Sequence, residues 1–248
     1  MIKAKYSKVK ENPFMKTHPL KILFEDEHII VCFKPHGIAT QSRQIGRPDM
    51  ISLLKNHIHQ ANSVQKSAPY LSVIHRLDQP VSGILVFAKT PFAAKELNYQ
   101  LQNHGFSKHY RALVNNCPTK PNDTLENYMI KDSKNNTSRI CKPDENGAKL
   151  ARLHYQIVEK GQGYFNLGRG ISQFTPSPIE LDILLDTGRH HQIRVQLANI
   201  GCPIIGDTKY NPHAKPGNVW QEIKLCAYKL EFKHPKTKKQ MSFSLINE

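Results

Sequence analysis

The sequence predicts an α+β fold with a mixed, largely antiparallel sheet and helices packed on it. Three observations carry this. Apolar runs of strand length, HIIVCFKP (28–35), GILVFAK (83–89) and PIELDILLD (178–186), outnumber the helical segments. The helical segments do not alternate regularly with strands, as a parallel βαβ sheet would require. The chain has 248 residues, close to the ~250–300 at which a single core stops growing, so one large domain or two small subdomains sharing a core is expected.

In chain order, residues 1–20 read as a basic arm, with Lys3, Lys5, Lys8, Lys10 and Lys16 against Glu11 alone, and 21–248 as the folded unit. His28–Pro35 reads as a buried strand stopped by Pro35 and Gly37. Ser52–Gln60 is a short helix, and Gly83–Lys89 a second buried strand. Thr90-Pro91 supplies an N-cap and a first-turn proline for a helix to about Asn103, closed at Gly105, with Ala93, Leu97 and Leu101 on its apolar face. Lys108–Val114 is a further strand. Residues 115–176 are polar and turn-rich, with 161–170 a loop. In Pro178–Asp186 the alternation of Ile179, Leu181, Ile183 and Leu185 has the period of a strand. Gly188 turns the chain into a helix of about Arg189–Ile200, with Ile193, Leu197 and Ile200 buried and Gly201 as its stop. Ile223–Lys233 and Met241–Leu245 form a hairpin around Pro235–Lys239.

Composition limits the function. Lys plus Arg number 35 and Asp plus Glu 20, a net charge of +15 with a pI near 9.6, which favours a polyanionic partner, nucleic acid above all. A hydrophobic fraction of 39% is too high for disorder. Apolar runs of about five residues fall short of the ~20 a membrane-spanning helix needs, and the first residues lack the apolar core of a signal peptide. A cytoplasmic protein without membrane contact is expected. Five scattered cysteines with no C-x-x-C pair argue against a disulfide framework and a cysteine zinc site. No phosphate-cradling glycine loop is present, and His57-x-His59 and His190-His191 lack an acidic cluster, so neither cofactor nor metal is expected.

Three segments hold the chemistry. His75-Arg76-Leu77-Asp78-Gln79-Pro80-Val81-Ser82-Gly83 packs a cation and a carboxylate into a turn feeding a buried strand, where functional side chains tend to sit. Thr187-Gly188-Arg189-His190-His191-Gln192-Ile193-Arg194-Val195-Gln196-Leu197 puts Arg194 on a helix. Lys108-His109-Tyr110-Arg111-Ala112-Leu113-Val114 is the third. Taken singly, Arg76 and Asp78 also fit a surface ion pair, Arg194 a solvated basic face, and Tyr110 a core position.

Together these segments resemble the RluA family of RNA pseudouridine synthases, whose pattern is HRLD-x-x-(T/V)-SG, then K-x-Y-x-A-L-V, then TGR-x-HQIR-V-x-L ending in GD-x-x-Y. Residues 75–89, 108–114 and 187–210 follow it in order, and EDEHIIVCFKPHGI (25–38) is similar to the family's opening strand. His75 and HQIRVQL favour this branch over the sister families that carry GRLD. Val81 and Gln196 depart from the Thr and His of many members. The resemblance implies a pseudouridine-synthase sheet in two fused subdomains with the active-site cleft between them. The expected activity is isomerisation of uridine in ribosomal or transfer RNA, without a cofactor, by a monomer. The twenty residues ahead of the unit are too few for the S4 domain of larger members, which leaves substrate choice to 115–176 and the termini.

The resemblance assigns Asp78 as the essential carboxylate and Arg194 as its partner, with Tyr110 as the aromatic face for the base. A partly buried carboxylate drifts toward its neutral, idle form, and an arginine within ~4–6 Å reverses that. Arginine suits the pairing because it stays protonated and its planar fork grips a carboxylate. The base has to leave the stack to react; Arg76 can fill the space it vacates in the RNA. His75, Lys108, Arg189 and His191 are expected RNA-binding residues, with a structural hydrogen bond the competing reading for His75. Two other readings compete: a non-enzymatic RNA-binding protein retaining the fold, and a glycosidic-bond hydrolase, which would need a second carboxylate beyond Asp78, with Asp207 a remote candidate.

Overall fold

The computed structural model describes residues 20–42, 44, 46–61, 67–159, 163–165, 178–212, 214 and 222–246. The expected arm and most of the 161–170 loop lie outside them. Eleven strands and three helices are present among the described residues, and all eleven strands belong to one sheet.

Strand β1 (Lys21–Glu25) pairs antiparallel with β2 (Ile29–Lys34), and β2 with β4 (Ser82–Ala88), whose far end also carries the two-residue β3 (Ser72–Val73). The other half runs β5 (Ser107–Val114), β9 (Ile179–Leu185), β8 (Lys149–Ile157), β6 (Asn122–Asp132) and β7 (Thr137–Cys141), every pairing antiparallel. Strand β10 (Leu225–Lys233) joins the halves: it lies antiparallel to β5 and parallel to the start of β4, while β11 (Gln240–Ser244) folds back on its second half. The sheet is therefore mixed and largely antiparallel, as the sequence predicts.

The parallel seam is short, pairing only Cys226 with Ser82 and Ala227 with Gly83. Gly83 has φ +140°, and a Cβ there would lie 2.5 Å from the Ala227 carbonyl oxygen. Only glycine permits so close an approach.

Alternation along β2 and β4 divides the core. Ile29, Val31, Ile84 and Val86 face helix α2 (Pro91–Gln102), which adds Ala93 and Leu97. Ile30, Cys32, Leu85 and Phe87 face the opposite side, with Leu53 and Leu54 of α1 (Met50–Ala61) and, further along, Ile193 and Leu197 of α3 (Gln192–Asn199). Helix α2 begins as expected, with Thr90 Oγ1 accepting the Ala93 N–H at 3.1 Å and Pro91 in the first turn. Asp49 caps α1 by accepting the Ser52 N–H at 2.7 Å.

Two expectations need correction. Helix α3 starts at Gln192, three residues later than predicted, because His190 and His191 form a turn and His191 is left-handed (φ 57°). Ile200 lies past its end and is 36% exposed, so it does not extend the buried face. Within 115–176, where no element was legible, β6, β7 and β8 form a three-stranded antiparallel unit.

Candidate active site

Asp78, Tyr110 and Arg194 line one cleft, together with Arg76, Arg189 and His191. The cleft has about 90 Å³ of free space, several times the ~10–15 Å³ a single water needs and enough to admit a planar pyrimidine ring.

Asp78 sits in the turn before β4. Its main-chain oxygen accepts the Val81 N–H at 3.0 Å, and the turn is tied to the segment after β2 at several points. Gly37 N–H donates to the Gln79 carbonyl at 3.0 Å. The Thr40 hydroxyl donates to the Leu77 carbonyl at 3.0 Å and accepts the Leu77 N–H at 3.2 Å. Lys34, fully buried, donates from Nζ to the carbonyls of Ile38 (2.7 Å), Gln79 (3.0 Å) and Pro35 (3.2 Å). Burial pushes the Lys34 ammonium down to about 7, opposed by the negative charge of Asp78. Three carbonyl partners use all three hydrogens that only the ammonium form supplies. Sequence reading missed Lys34 and Thr40. The signal for Lys34 was its phase, two residues beyond Cys32 on the buried face of β2.

Arg194 reaches the site from α3 and is 3% exposed. Its Nη1 donates to Asp78 Oδ2 at 3.1 Å. Its Nε and Nη2 donate to the two oxygens of Asp207 at 2.8 and 2.7 Å, the parallel fork that makes an arginine–carboxylate pair strong. The guanidinium also lies over the Tyr210 ring, 5.1 Å from its centroid. Against the cost of burial, Asp207 and then Asp78 hold the Arg194 pKa above its ordinary value. Asp207, 1% exposed, is a second carboxylate whose task is to hold the arginine. In the sequence it stands out only as a remote candidate for a second carboxylate.

The turn that launches α3 is closed by its own motif. Gln192 Oε1 accepts the Thr187 hydroxyl at 2.7 Å and the Arg189 N–H at 2.9 Å, and its Nε2 donates to the Arg152 carbonyl at 3.0 Å. Gln196, where many family members carry His, is fully buried and donates to the carbonyls of Leu125 and Ala151 and to Asn127 Oδ1. Val81 is core, 3% exposed. Val81 thus packs beside the cleft, and Gln196 is a buried hydrogen-bonding residue.

Tyr110, on β5 between Ala227 of β10 and Ile183 of β9, is 7% exposed. Burial, reinforced by the nearby charge of Asp78, pushes its hydroxyl pKa up. Arg76 is exposed at the cleft and, among the described residues, donates to Gln41 Oε1 at 3.3 Å. Arg189 is also exposed, with Nε on the Leu150 carbonyl at 2.7 Å. Lys108 Nζ lies 3.6 Å from where a Cβ on Gly188, another cleft residue, would be.

Two of the expected RNA-binding residues also make contacts within the protein. His75 turns away from the cleft, accepting the Val86 N–H on Nε2 at 3.4 Å and meeting the edge of Phe106. Burial and the nearby charge of Lys108 push it down to about 3. His191 is 7% exposed and lies beside Asp78, its Nε2 3.5 Å from Oδ2. A larger hollow, about 610 Å³, opens on the opposite face of the sheet beside His109, Lys120, His154 and Asp182. It holds none of the expected site residues, because His109 and Tyr110 point to opposite faces. Among the described residues, no three His, Cys, Asp or Glu side chains are grouped as metal ligands, and no helix is long and apolar enough to cross a membrane.

Comparison with known proteins bears on the family and the fold. The family model described as RNA pseudouridylate synthase matches residues 28–199. The chain is 35% identical over 224 residues to the ribosomal large subunit pseudouridine synthase D of Nitrosomonas europaea, covering 88% of this chain and 59% of the relative. It is 32% identical over 218 residues to the uncharacterized RNA pseudouridine synthase YhcT of Bacillus subtilis, covering 88% and 65%. The chain thus spans about three fifths of the length of these curated relatives. The solved structure of human RNA pseudouridylate synthase domain containing 4 shares the fold, with a TM-score of 0.69 at 19% identity over 92% of this chain and 88% of that one. With the family model spanning the turn of Asp78, the strand of Tyr110 and the helix of Arg194, the chain belongs to the RNA pseudouridylate synthase family.

Proposed function

We propose that this protein isomerises uridine to pseudouridine in RNA, in the manner of the RluA branch, with Asp78 as the essential carboxylate. The observation that carries the reading is the 3.1 Å pair between Asp78 and Arg194 at a cleft of base size. The reaction breaks the N1–C1′ bond of uridine and joins C5 to the same sugar carbon. The hydrogen lost from C5 is balanced by one gained at N1. A carboxylate can attack sugar or ring, or remove a sugar proton, and each route requires its ionised form.

The other groups have roles that follow from their placement. Tyr110 offers its ring to the extruded uracil, a stack worth ~1–3 kcal/mol, and holds it while the glycosidic bond is open. Arg76 enters the space the base leaves, and Arg189 and Lys108 take flanking phosphates. The relatives' names point to large-subunit ribosomal RNA as substrate. A cytoplasmic monomer fits this role. The hydrolase reading loses support because Asp207, the remaining carboxylate near Asp78, is committed to Arg194 on both oxygens.

The test is product analysis. Ribosomal RNA incubated with the protein yields pseudouridine, and an Asp78→Asn variant yields none while still binding the RNA. Release of free uracil, or an Asp78→Asn variant as active as wild type, would overturn the proposal.

A further inference from the structure

His191 precedes α3 in a left-handed conformation, φ 57° and ψ 23°, and makes no side-chain capping bond to the helix. Such a backbone is unfavourable for a residue with a Cβ, and it persists where surrounding contacts enforce it. The imidazole is committed elsewhere. Nδ1 lies 2.7 Å from the Tyr210 hydroxyl and Nε2 3.5 Å from Asp78 Oδ2. The ring of His190 stacks on it with centroids 3.7 Å apart, and His190 is itself bonded through Nδ1 to the Ser138 hydroxyl at 2.8 Å.

The hydrogen-bond inventory decides which nitrogen carries the proton. Tyr210 already accepts the Ser138 main-chain N–H at 2.8 Å. A main-chain amide only donates, so the phenolic hydrogen is left for His191, and Nδ1 is its acceptor. An uncharged imidazole accepting at Nδ1 has its hydrogen on Nε2, the nitrogen facing Asp78. Burial pushes His191 down to about 4, opposed by Asp78 and assisted by Arg194, His190 and Lys209, so the ring is uncharged near neutral pH.

We propose that His191 is a positioning residue for Asp78: its Nε2–H joins Arg194 Nη1 on Oδ2, leaving Oδ1 as the oxygen presented to the uridine. Two donors converging on one oxygen set the rotation of the carboxylate. The Tyr210 hydroxyl and the His190 stack in turn set the tautomer and plane of His191. This rests on the function proposed above.

The test combines histidine ¹⁵N NMR with single-turnover pseudouridine formation on an RNA transcript. Wild-type His191 gives the Nε2–H tautomer, and Tyr210→Phe, which removes one oxygen and leaves the ring over Arg194, takes the donor from Nδ1, loosens the imidazole and slows turnover. His191→Ala slows turnover about tenfold, the low end for a hydrogen bond to a charged group, with RNA affinity unchanged. His191→Gln, which carries an N–H near the Nε2 position, recovers most of the rate. An Nδ1–H tautomer in the wild type, full activity in both His191→Ala and Tyr210→Phe, or equal loss in His191→Gln and His191→Ala would each overturn the inference. A wild type that forms no pseudouridine overturns the proposed function instead, and the tautomer then decides the arrangement of His191 by itself.

Discussion

Lys34 Nζ, at the end of strand β2, lies 3.0 Å from the carbonyl oxygen of Gln79, the residue after Asp78. The turn bearing the carboxylate is thus tethered by a buried cation to a strand on the far side of β4 from β10. Lys34→Met keeps most of the apolar stem and takes the donor from three carbonyls, of which that of Gln79 keeps the Gly37 N–H. It is expected to destabilise the fold by about 1–3 kcal/mol, the cost of leaving a buried polar group unsatisfied, and to lower turnover through a loosened Asp78. Urea denaturation and a single-turnover assay check both; wild-type values in each would refute the tether.

Asp207→Asn removes the charge that neutralises Arg194 while keeping the shape of the side chain. Breaking a buried ion pair by deleting one partner costs about 3–5 kcal/mol, and the freed guanidinium shifts its fork toward Asp78. Loss of stability together with loss of turnover is expected. Retained stability would mean that Arg194 does not depend on Asp207.

Gly83→Ala places a methyl 2.5 Å from Ala227 main-chain atoms at a φ of +140°. The seam between β4 and β10 has to open, and a cost above ~2 kcal/mol is expected, in the range of backbone-strain substitutions. The melting temperature then falls by roughly 4 °C or more for a chain of this size. An unchanged melting temperature would show that the seam adapts.

Stability should fall on acidification before most carboxylates titrate. His75 and His191 are pushed by burial to about 3 and about 4 in the folded state, whereas the unfolded chain titrates histidine near ~6.5. Between these values the unfolded state binds more protons. The contribution is complete above about 6.5 and is lost as pH falls toward the folded values. Urea midpoints measured from pH 7 to pH 4 check this, and His75→Phe should flatten the slope. A midpoint independent of pH across that window would contradict the burial of both rings.

Legibility in the sequence followed locality. Thr90-Pro91 announced α2 because the cap and its partner Ala93 lie three residues apart. Asp78, Tyr110 and Arg194 were legible as a set only through motif order, since Asp78 and Arg194 are 116 positions apart. Strand β8 buries Ala151, Leu153 and Tyr155 in alternation, yet Arg152, His154 and Gln156 between them, and the smallness of alanine, dilute the signal. His75 and His191 were hard to place for one shared reason. Next to arginines in a basic chain an imidazole reads as a phosphate ligand, and only the distant partners Val86, Phe106 and Tyr210 show that each is packed and uncharged.

Arg194 divides its donors between two acids of different fate. Asp78 is the acid whose charge a bond to substrate or a captured proton would cancel, and an arginine dependent on it alone would then be left a stranded cation in a nearly dry interior. Asp207, sealed from solvent and held by two of the three contacts, keeps the guanidinium compensated whatever happens to its neighbour. Under the proposed function, the scaffold would pass through a full catalytic cycle without rearranging the arginine, and Asp78 would return to a partner that has not moved.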